Sequence, residues 1–250
     1  MSDSSTIVAS IVLPCLNERN TVGQCVWKAL DCLDRVETVG EVVVADNGSV
    51  DGSREIAAAA GARVVHCQQR GYGAALRGGI LASRGQLIIM ADADDSYDLQ
   101  QLKDFIDPLR DGLADMVIGD RFAGGIEPGA MPPLNRYVGN PALSLLLRNL
   151  FGGSVQDAHC GLRSFSREAF DRMAPQQPGM EFASELVVRA IQLSMRIIQV
   201  PTKLKKDGRD RKPHLRPWRD GWRHVRYMLS ERLHRSSRKG ITLHSLQETA

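Results

Sequence analysis

Residues 86–98 read QLIIMADADDSYD, and this stretch decides the fold. Leu87 to Met90 is a short apolar run that breaks abruptly into Asp92, Asp94, Asp95 and Asp98. Such a run reads as a buried strand emptying into a loop. Asp92 and Asp94 stand two positions apart at the strand end, so both side chains can point the same way. Two convergent carboxylates repel unless a cation lies between them. Mg²⁺ or Mn²⁺ suits the pair, because such ions take one or two carboxylates and complete their shell with water and phosphate oxygens. Alone, so short a motif is equally compatible with a solvated acidic turn.

The surrounding chain supplies the context. Ile7 to Leu13 is a β-branched run closed by Pro14 and followed by Cys15-Leu16-Asn17-Glu18, with a helical pattern from Thr21 to Leu33. Val42-Val43-Val44 is a second buried strand, emptying into the turn-rich Asp46-Asn47-Gly48-Ser49-Val50-Asp51-Gly52-Ser53. Asp51 or Ser53 caps the next helix. Ala62 to Val65 is a third strand, Gly71 to Ala82 a glycine-led helix, Leu99 to Asp107 a helix stopped by Pro108, and Asp115 to Gly119 a fifth strand. Strand alternating with helix predicts an α/β fold with a mostly parallel sheet covered on both faces. In such sheets ligands collect beyond the carboxyl ends of the strands. Asn17-Glu18, Asp46 and Asp92/Asp94 each follow an apolar strand, so they are expected to meet at one edge.

The second half is less regular. Phe122 to Pro133 reads as a long loop, Leu134 to Phe151 as a helix, Asp157 to Arg163 as a polar loop, and Ser166 to Met173 and Glu181 to Leu193 as helices. Arg196 to Val200 is a strand, Lys205 to Pro217 an irregular basic segment, and Trp218 to His234 a basic amphipathic helix. Residues 1–202 are expected to form the catalytic domain, and 203–250 an appendage without a core of its own.

Net charge is only +3, yet Lys203 to Lys239 holds fourteen Lys or Arg against four acids. This asymmetry points to an anionic partner: a membrane surface, a phosphate or nucleic acid. Trp218, Trp222, Val225 and Leu229, flanked by Arg219, Arg223 and Arg226, suit either a membrane interface or a helix packed on the domain. Convergent carboxylates have no use in a pure nucleic-acid binder, so no nucleic-acid partner is expected. The five scattered cysteines, the absence of a signal-peptide pattern and the absence of a run near the ~20 apolar residues of a membrane span predict a cytoplasmic protein, peripheral at most on the cytoplasmic membrane face.

Taken together, Leu13–Glu18 (LPCLNE), Val42–Ser53 (VVVADNGSVDGS), Arg70–Gly79 (RGYGAALRGG), Met90–Asp95 (MADADD), Ile118–Phe122 (IGDRF), Gln156–Phe165 (QDAHCGLRSF) and Arg216–Leu229 resemble the family 2 glycosyltransferases of the GT-A fold. The later segments are similar to the polyprenyl-phosphate sugar transferases, relatives of dolichol-phosphate mannose synthase. The resemblance implies an inverting, metal-dependent hexosyltransferase. Its donor is a nucleoside-diphosphate sugar and its acceptor a lipid phosphate, or alternatively a soluble hydroxyl compound. It implies that Pro14, Leu16, Asn17, Glu18, Asp46, Gly73, Asp92 and Ala93 surround the donor, and that Asp92 and Asp94 hold the metal. It places Arg121 against phosphate, Asp157, His159 and Cys160 around the acceptor, and Arg209 and Arg211 in a mobile basic loop that closes over donor or acceptor. The sequence departs from the family pattern at Ala45, where a second acid is common, at Ser96 after the metal motif, and at Cys160, where some relatives carry serine. Gly73 with Gly71 either presents backbone N–H groups to the donor or packs its helix on the sheet. A phosphate acceptor is already anionic and needs no base, which makes Asp157→Asn nearly silent. A hydroxyl acceptor needs one, with Asp157 first and His159 in reserve.

Overall fold

The computed structural model describes residues 8–210 and 217–247, with side chains at 8–210 and 218–234. Arg211 lies outside the described residues. Among them seven strands form one sheet: β1 (Ala9–Cys15), β2 (Gly40–Asp46), β3 (Arg63–His66), β4 (Leu87–Met90), β5 (Met116–Asp120), β6 (Arg163–Ser166) and β7 (Ile197–Pro201). Their order is β3-β2-β1-β4-β6-β5-β7. Ile11 to Leu13, Val42 to Val44 and Ile88 to Met90 are buried on both faces, which is why these strands are continuous apolar runs.

The helices α1 (Val22–Arg35), α2 (Ser53–Ala59) and α3 (Tyr72–Ala82) carry the parallel crossovers. The chain winds from β1 to β3 in one direction and then returns to place β4 on the other side of β1, paired Ala9 with Leu87 and Val12 with Met90. The carboxyl ends of β1 and β4 therefore form the topological switch point, where this class of sheet opens a crevice. Gly79 lets α3 settle on the sheet: a Cβ there would lie 2.7 Å from Val12 Cγ1 and 2.8 Å from Ala45 Cβ.

Three features depart from the sequence expectation. β6 lies antiparallel between β4 and β5, pairing Met90 with Arg163 and Ile118 with the same residue. The four residues RSFS are mostly polar, and their strand character comes from neighbours on both sides rather than from an apolar run. Because β6 runs backwards, the loop that precedes it meets the same edge as the loops that follow β1, β2 and β4. Next, α4 (Lys103–Arg110) starts later than expected and contains Pro108, which sits in the closing turn and costs a single amide bond there. Its carbonyl then accepts the Leu113 and Ala114 amides. Finally, the 122–133 loop begins with a short turn of helix, α5 (Arg121–Gly124), capped by the Asp120 carboxylate, which accepts from the Phe122 and Ala123 amides.

A π-helical turn at Asn135–Gly139 leads into α6 (Asn140–Phe151), and α7 (Arg167–Met173) and α8 (Phe182–Gln192) follow β6. The last helix, α9 (Pro217–Gln247), packs against α6 and α8. Asp220, His224, Tyr227 and Met228 form its buried face, whereas Trp218, Trp222, Leu229 and Leu233 are exposed. All five cysteines are free and buried. No helix among the described residues is long and apolar enough to cross a membrane.

Candidate active site

The loop after β1 and the loop after β2 are laced together at the switch point. Asn17 takes the left-handed conformation, φ 58°, which asparagine tolerates better than most residues. Its amide donates to Ser49 Oγ at 2.9 Å, and its Oδ1 accepts the Val50 amide at 2.8 Å. The Glu18 amide donates to Ser53 Oγ at 2.8 Å, and Thr21 Oγ1 donates to the Ala93 carbonyl at 2.7 Å. The loops after β1 and β2, together with Arg209 and Asp210, line a cleft of about 310 Å³ whose walls include Asn17, Glu18, Thr21, Val50 and Asp51. Pro14 lies within β1 and Leu16 just after it, and neither lines the cleft. Asp46, fully buried, accepts from the amides of Gly48 and Ser49 and so shapes the turn. Burial would raise its carboxyl, but the hydrogen bonds from Ser49, Gly48 and His66 outweigh burial and hold it below the usual carboxylate range. The β2 loop lines the cleft with Val50 and Asp51, two residues that in the sequence signal only a turn and a cap.

The four aspartates after β4 divide into two pairs. Asp95 is held by Lys28 at 2.7 Å and Asp98 lies 3.6 Å from Lys205, so these two face away toward lysines. Asp92 and Asp94 stay together. Tyr72 donates its hydroxyl to Asp92 Oδ1 at 3.0 Å, and Gly161 approaches Oδ2 so closely that a Cβ there would collide with it. Burial first, and then the charge of Asp94, push the Asp92 carboxyl up to about 6. Asp94 Oδ1 accepts the Ser96 amide at 3.0 Å, while Oδ2 meets Arg209 Nη2 at 2.7 Å. Ala93 is buried between them. A carboxylate destabilised by its neighbour's charge, with a guanidinium already against that neighbour, is a donor set suited to a divalent cation. No group of three or more candidate metal ligands occurs among the described residues, so a cation held by this pair would take the rest of its shell from solvent and ligand oxygens.

Arg121 and Asp157 meet each other. Arg121 Nε donates to Asp157 Oδ2 at 2.6 Å, Nη2 to Oδ1 at 2.7 Å, and the Arg121 amide to Oδ2 at 3.1 Å. Asp157 is fully buried. Beneath it lies Arg163, also fully buried, which donates to the carbonyls of Cys160 at 2.7 Å, Ala158 at 2.8 Å and Ala183 at 2.6 Å. One cationic side chain thereby ties two carbonyls of the 157–161 loop to α8. In the sequence Arg163 is only the end of a polar loop, and an arginine inside that motif is the one signal of its role. Cys160 is turned inward, 3.8 Å from the Tyr97 hydroxyl, and burial pushes its thiol up to about 11.

Gly71 and Gly73 serve packing. A Cβ on either would run into the backbone of Gln177 to Gly179, and the Ala74 amide donates to the Pro178 carbonyl. The start of α3 therefore faces another loop, and of the two readings of Gly73 close packing is the one seen.

His159 points toward the C-terminal helix. Its Nε2 lies 3.1 Å from Ser184 Oγ, which lies 2.8 Å from His224 Nδ1, and the two rings meet edge-to-face at 4.5 Å. Both are held neutral. Burial, then His224, Arg163 and Arg121 push His159 well below the ordinary histidine range. Burial pushes His224 to about 4 with help from Arg163 and Arg223, against the opposing charges of Glu181 and Asp220. Unfolded, each titrates near 6.5. Between about pH 6.5 and 4 the unfolded chain binds a proton at His224 that the folded chain refuses, and His159 acts in the same direction. Stability therefore falls with pH by up to about 1.4 kcal/mol per unit for each histidine. Asp92 opposes this over part of the range, because its raised carboxyl protonates first in the folded state, so the informative quantity is a difference. His224→Gln is expected to make the acid-side slope shallower by one proton, read from urea midpoints at pH 7, 6 and 5 by tryptophan fluorescence. An unchanged slope would assign the titration elsewhere.

Residues 10–174 match the profile of the glycosyl transferase family 2. The chain is 42% identical over 220 residues to the low-salt glycan biosynthesis hexosyltransferase Agl6 of Haloferax volcanii, covering 88% of this chain and 52% of that protein. It thus spans about half the length of that relative. It is 34% identical over 193 residues to a dolichyl-phosphate hexose transferase of the same organism, covering 77% of this chain and 80% of the other. Among solved structures it resembles glucosyl-3-phosphoglycerate synthase from Mycobacterium tuberculosis in complex with Mn²⁺, UDP-glucose and phosphoglyceric acid. The TM-score is 0.68 and the identity 25%, with 90% of this chain and 79% of that one covered.

Proposed function

The chain belongs to glycosyl transferase family 2, and from that premise we propose that it moves a hexose from a nucleoside-diphosphate sugar to a polyprenyl phosphate, with inversion and with Mg²⁺ or Mn²⁺. The transferase class and the nucleotide-sugar donor come with the family. The acceptor and the metal are the further step.

The donor nucleoside occupies the cleft between Asn17–Thr21 and Val50–Asp51, with its diphosphate directed toward Asp92 and Asp94. A cation held there would act as the Lewis acid that neutralises the leaving diphosphate. Tyr72 and Gly161 fix Asp92 in rotamer and depth. Arg121 is held in a single orientation by Asp157 through Nε and Nη2, which leaves Nη1 as the group that would meet phosphate.

One observation carries the choice of acceptor. Neither candidate base in the 157–161 loop is presented to an acceptor: Asp157 is held in the Arg121 fork, and His159 has its Nε2 against Ser184 and its Nδ1 buried without a partner. An acceptor hydroxyl would need a base within reach, whereas a phosphate arrives as an anion. The likeness to a dolichyl-phosphate hexose transferase supports this reading. The likeness to glucosyl-3-phosphoglycerate synthase favours a second reading, transfer to a small soluble acceptor.

The exposed Trp218, Trp222, Leu229 and Leu233, beside the exposed Arg219 and Arg226, suit a helix resting on an anionic membrane. A two-phase assay tests both halves. Protein, Mn²⁺ and a panel of labelled nucleotide sugars are mixed with a short-chain polyprenyl phosphate or with 3-phosphoglycerate, then extracted into organic solvent. EDTA-sensitive label in the organic phase is the expected result. EDTA-sensitive label retained in water with 3-phosphoglycerate alone would replace the lipid acceptor with the soluble one. Co-sedimentation with anionic but not zwitterionic vesicles is expected for the surface on α9.

A further inference from the structure

Arg209 stands where the metal reading has least room for it. Its Nη2 lies 2.7 Å from Asp94 Oδ2 and 2.8 Å from Asp207 Oδ2, and its Nη1 lies 3.5 Å from Glu18 Oε1. The side chain is only 14% exposed. It forms one wall of the cleft and at the same time meets the carboxylate beyond it. The backbone holds it there: the Gly208 amide donates to the Asp94 carbonyl at 2.9 Å, and the Lys205 amide to the Ser96 carbonyl at 2.9 Å. Gly208 itself lies against Thr21, where a Cβ would be 2.9 Å from Cγ2. This is a built position at the junction of the cleft and the carboxylate pair.

We propose that Arg209 is a resident counter-ion of the cation site, holding Asp94 and Glu18 until metal and nucleoside diphosphate arrive together, so that metal alone is largely excluded. The proposal rests on the cation reading of Asp92 and Asp94. A divalent ion bound through Asp94 Oδ2 would compete for the oxygen that the guanidinium now occupies and would sit within a few ångströms of its charge, a like-charge contact at a poorly solvated site. A diphosphate changes the balance. It brings negative charge, and its paired oxygens match the planar fork of a guanidinium as well as a carboxylate does. Arg209 can then exchange Asp94 for phosphate without passing through an unpaired state, which would be costly at this depth. Metal and nucleotide become linked, each raising the affinity of the other by the same factor.

The test needs no turnover. Binding of Mn²⁺ alone is followed by the electron paramagnetic resonance signal of the free ion, and then repeated with UDP-glucose present. In the intact chain Mn²⁺ alone is expected to bind at least tenfold more weakly than with the sugar nucleotide. Arg209→Met is expected to bind Mn²⁺ alone at least fivefold more tightly and to lose most of the linkage. Arg209→Lys keeps a cation and is expected to stay close to the intact chain. Circular dichroism confirms that each variant is folded. An unchanged affinity for Mn²⁺ alone in Arg209→Met overturns the counter-ion role. Failure of Asp94→Asn to weaken Mn²⁺ binding overturns the cation reading beneath it, and the two failures are separately visible.

Discussion

Asp94→Asn is expected to lower sugar transfer by at least a hundredfold while leaving the fold intact. The exchange removes one charge and almost no volume. The asparagine Oδ1 can still accept the Ser96 amide as Asp94 does, so the turn after β4 should hold. What is lost is the anionic oxygen that faces Arg209 and, on the proposed mechanism, the cation. Lewis-acid stabilisation of a leaving diphosphate is worth several kcal/mol, and each ~1.4 kcal/mol is a factor of ten in rate. Asp95→Asn is the control one residue along. Asp95 has φ 61°, a conformation that asparagine accepts, and its partner is Lys28 at the edge of the site. That variant is expected to cost about 1 kcal/mol of stability or less and to leave transfer within a fewfold of the intact chain. A second consequence concerns Asp92. Its carboxyl is held near 6 by burial and then by Asp94, so removing Asp94's charge should move it back toward the usual range. Comparable loss in both variants would mean general acidity, not a specific cation site, and wild-type rates in Asp94→Asn would remove the site altogether.

The left half of the sheet was legible because its chemistry is local. Ile11 to Leu13, Val42 to Val44 and Leu87 to Met90 are each apolar through and through, which a strand shows only when buried on both faces. Their polar exits at Asn17-Glu18, Asp46 and Asp92/Asp94 then fall on one edge by topology alone. Three things were not legible, and each is set by partners distant in sequence. β6 is a strand because Met90 and Ile118 flank Arg163, not because RSFS favours one. Arg163 reads as a surface cation, yet it is buried, with three carbonyls as partners drawn from two segments. Arg209 was expected over donor or acceptor as part of a basic loop. Its placement against Asp94 depends on backbone hydrogen bonds between segments more than one hundred residues apart. Gly71 and Gly73 at the start of α3 were ambiguous for the same reason, since only the fold brings the backbone of Gln177 to Gly179 against them.

The ion pair between Arg121 and Asp157 reverses the expectation that Asp157→Asn would be nearly silent with a phosphate acceptor. Both carboxylate oxygens hold the guanidinium, and Oδ2 also accepts the Arg121 amide. An asparagine would turn its amide hydrogens toward guanidinium hydrogens and leave a buried cation without a counter-charge. Breaking one side of such a pair costs roughly 3–5 kcal/mol. Asp157→Asn should therefore lose stability by that order in urea denaturation, and lose transfer to phosphate and hydroxyl acceptors alike, because Arg121 is no longer aimed. Removing both charges separates structure from chemistry. Arg121→Met combined with Asp157→Leu should recover most of the lost stability, since a buried pair replaced by apolar groups is often close to neutral. Transfer should not recover, because the guanidinium proposed to meet phosphate is gone. The cycle has a clear opposite outcome. If Asp157→Asn keeps its stability and full rate with a polyprenyl phosphate but fails with a hydroxyl acceptor, Asp157 is a general base, and the acceptor argument built on its engagement falls with it.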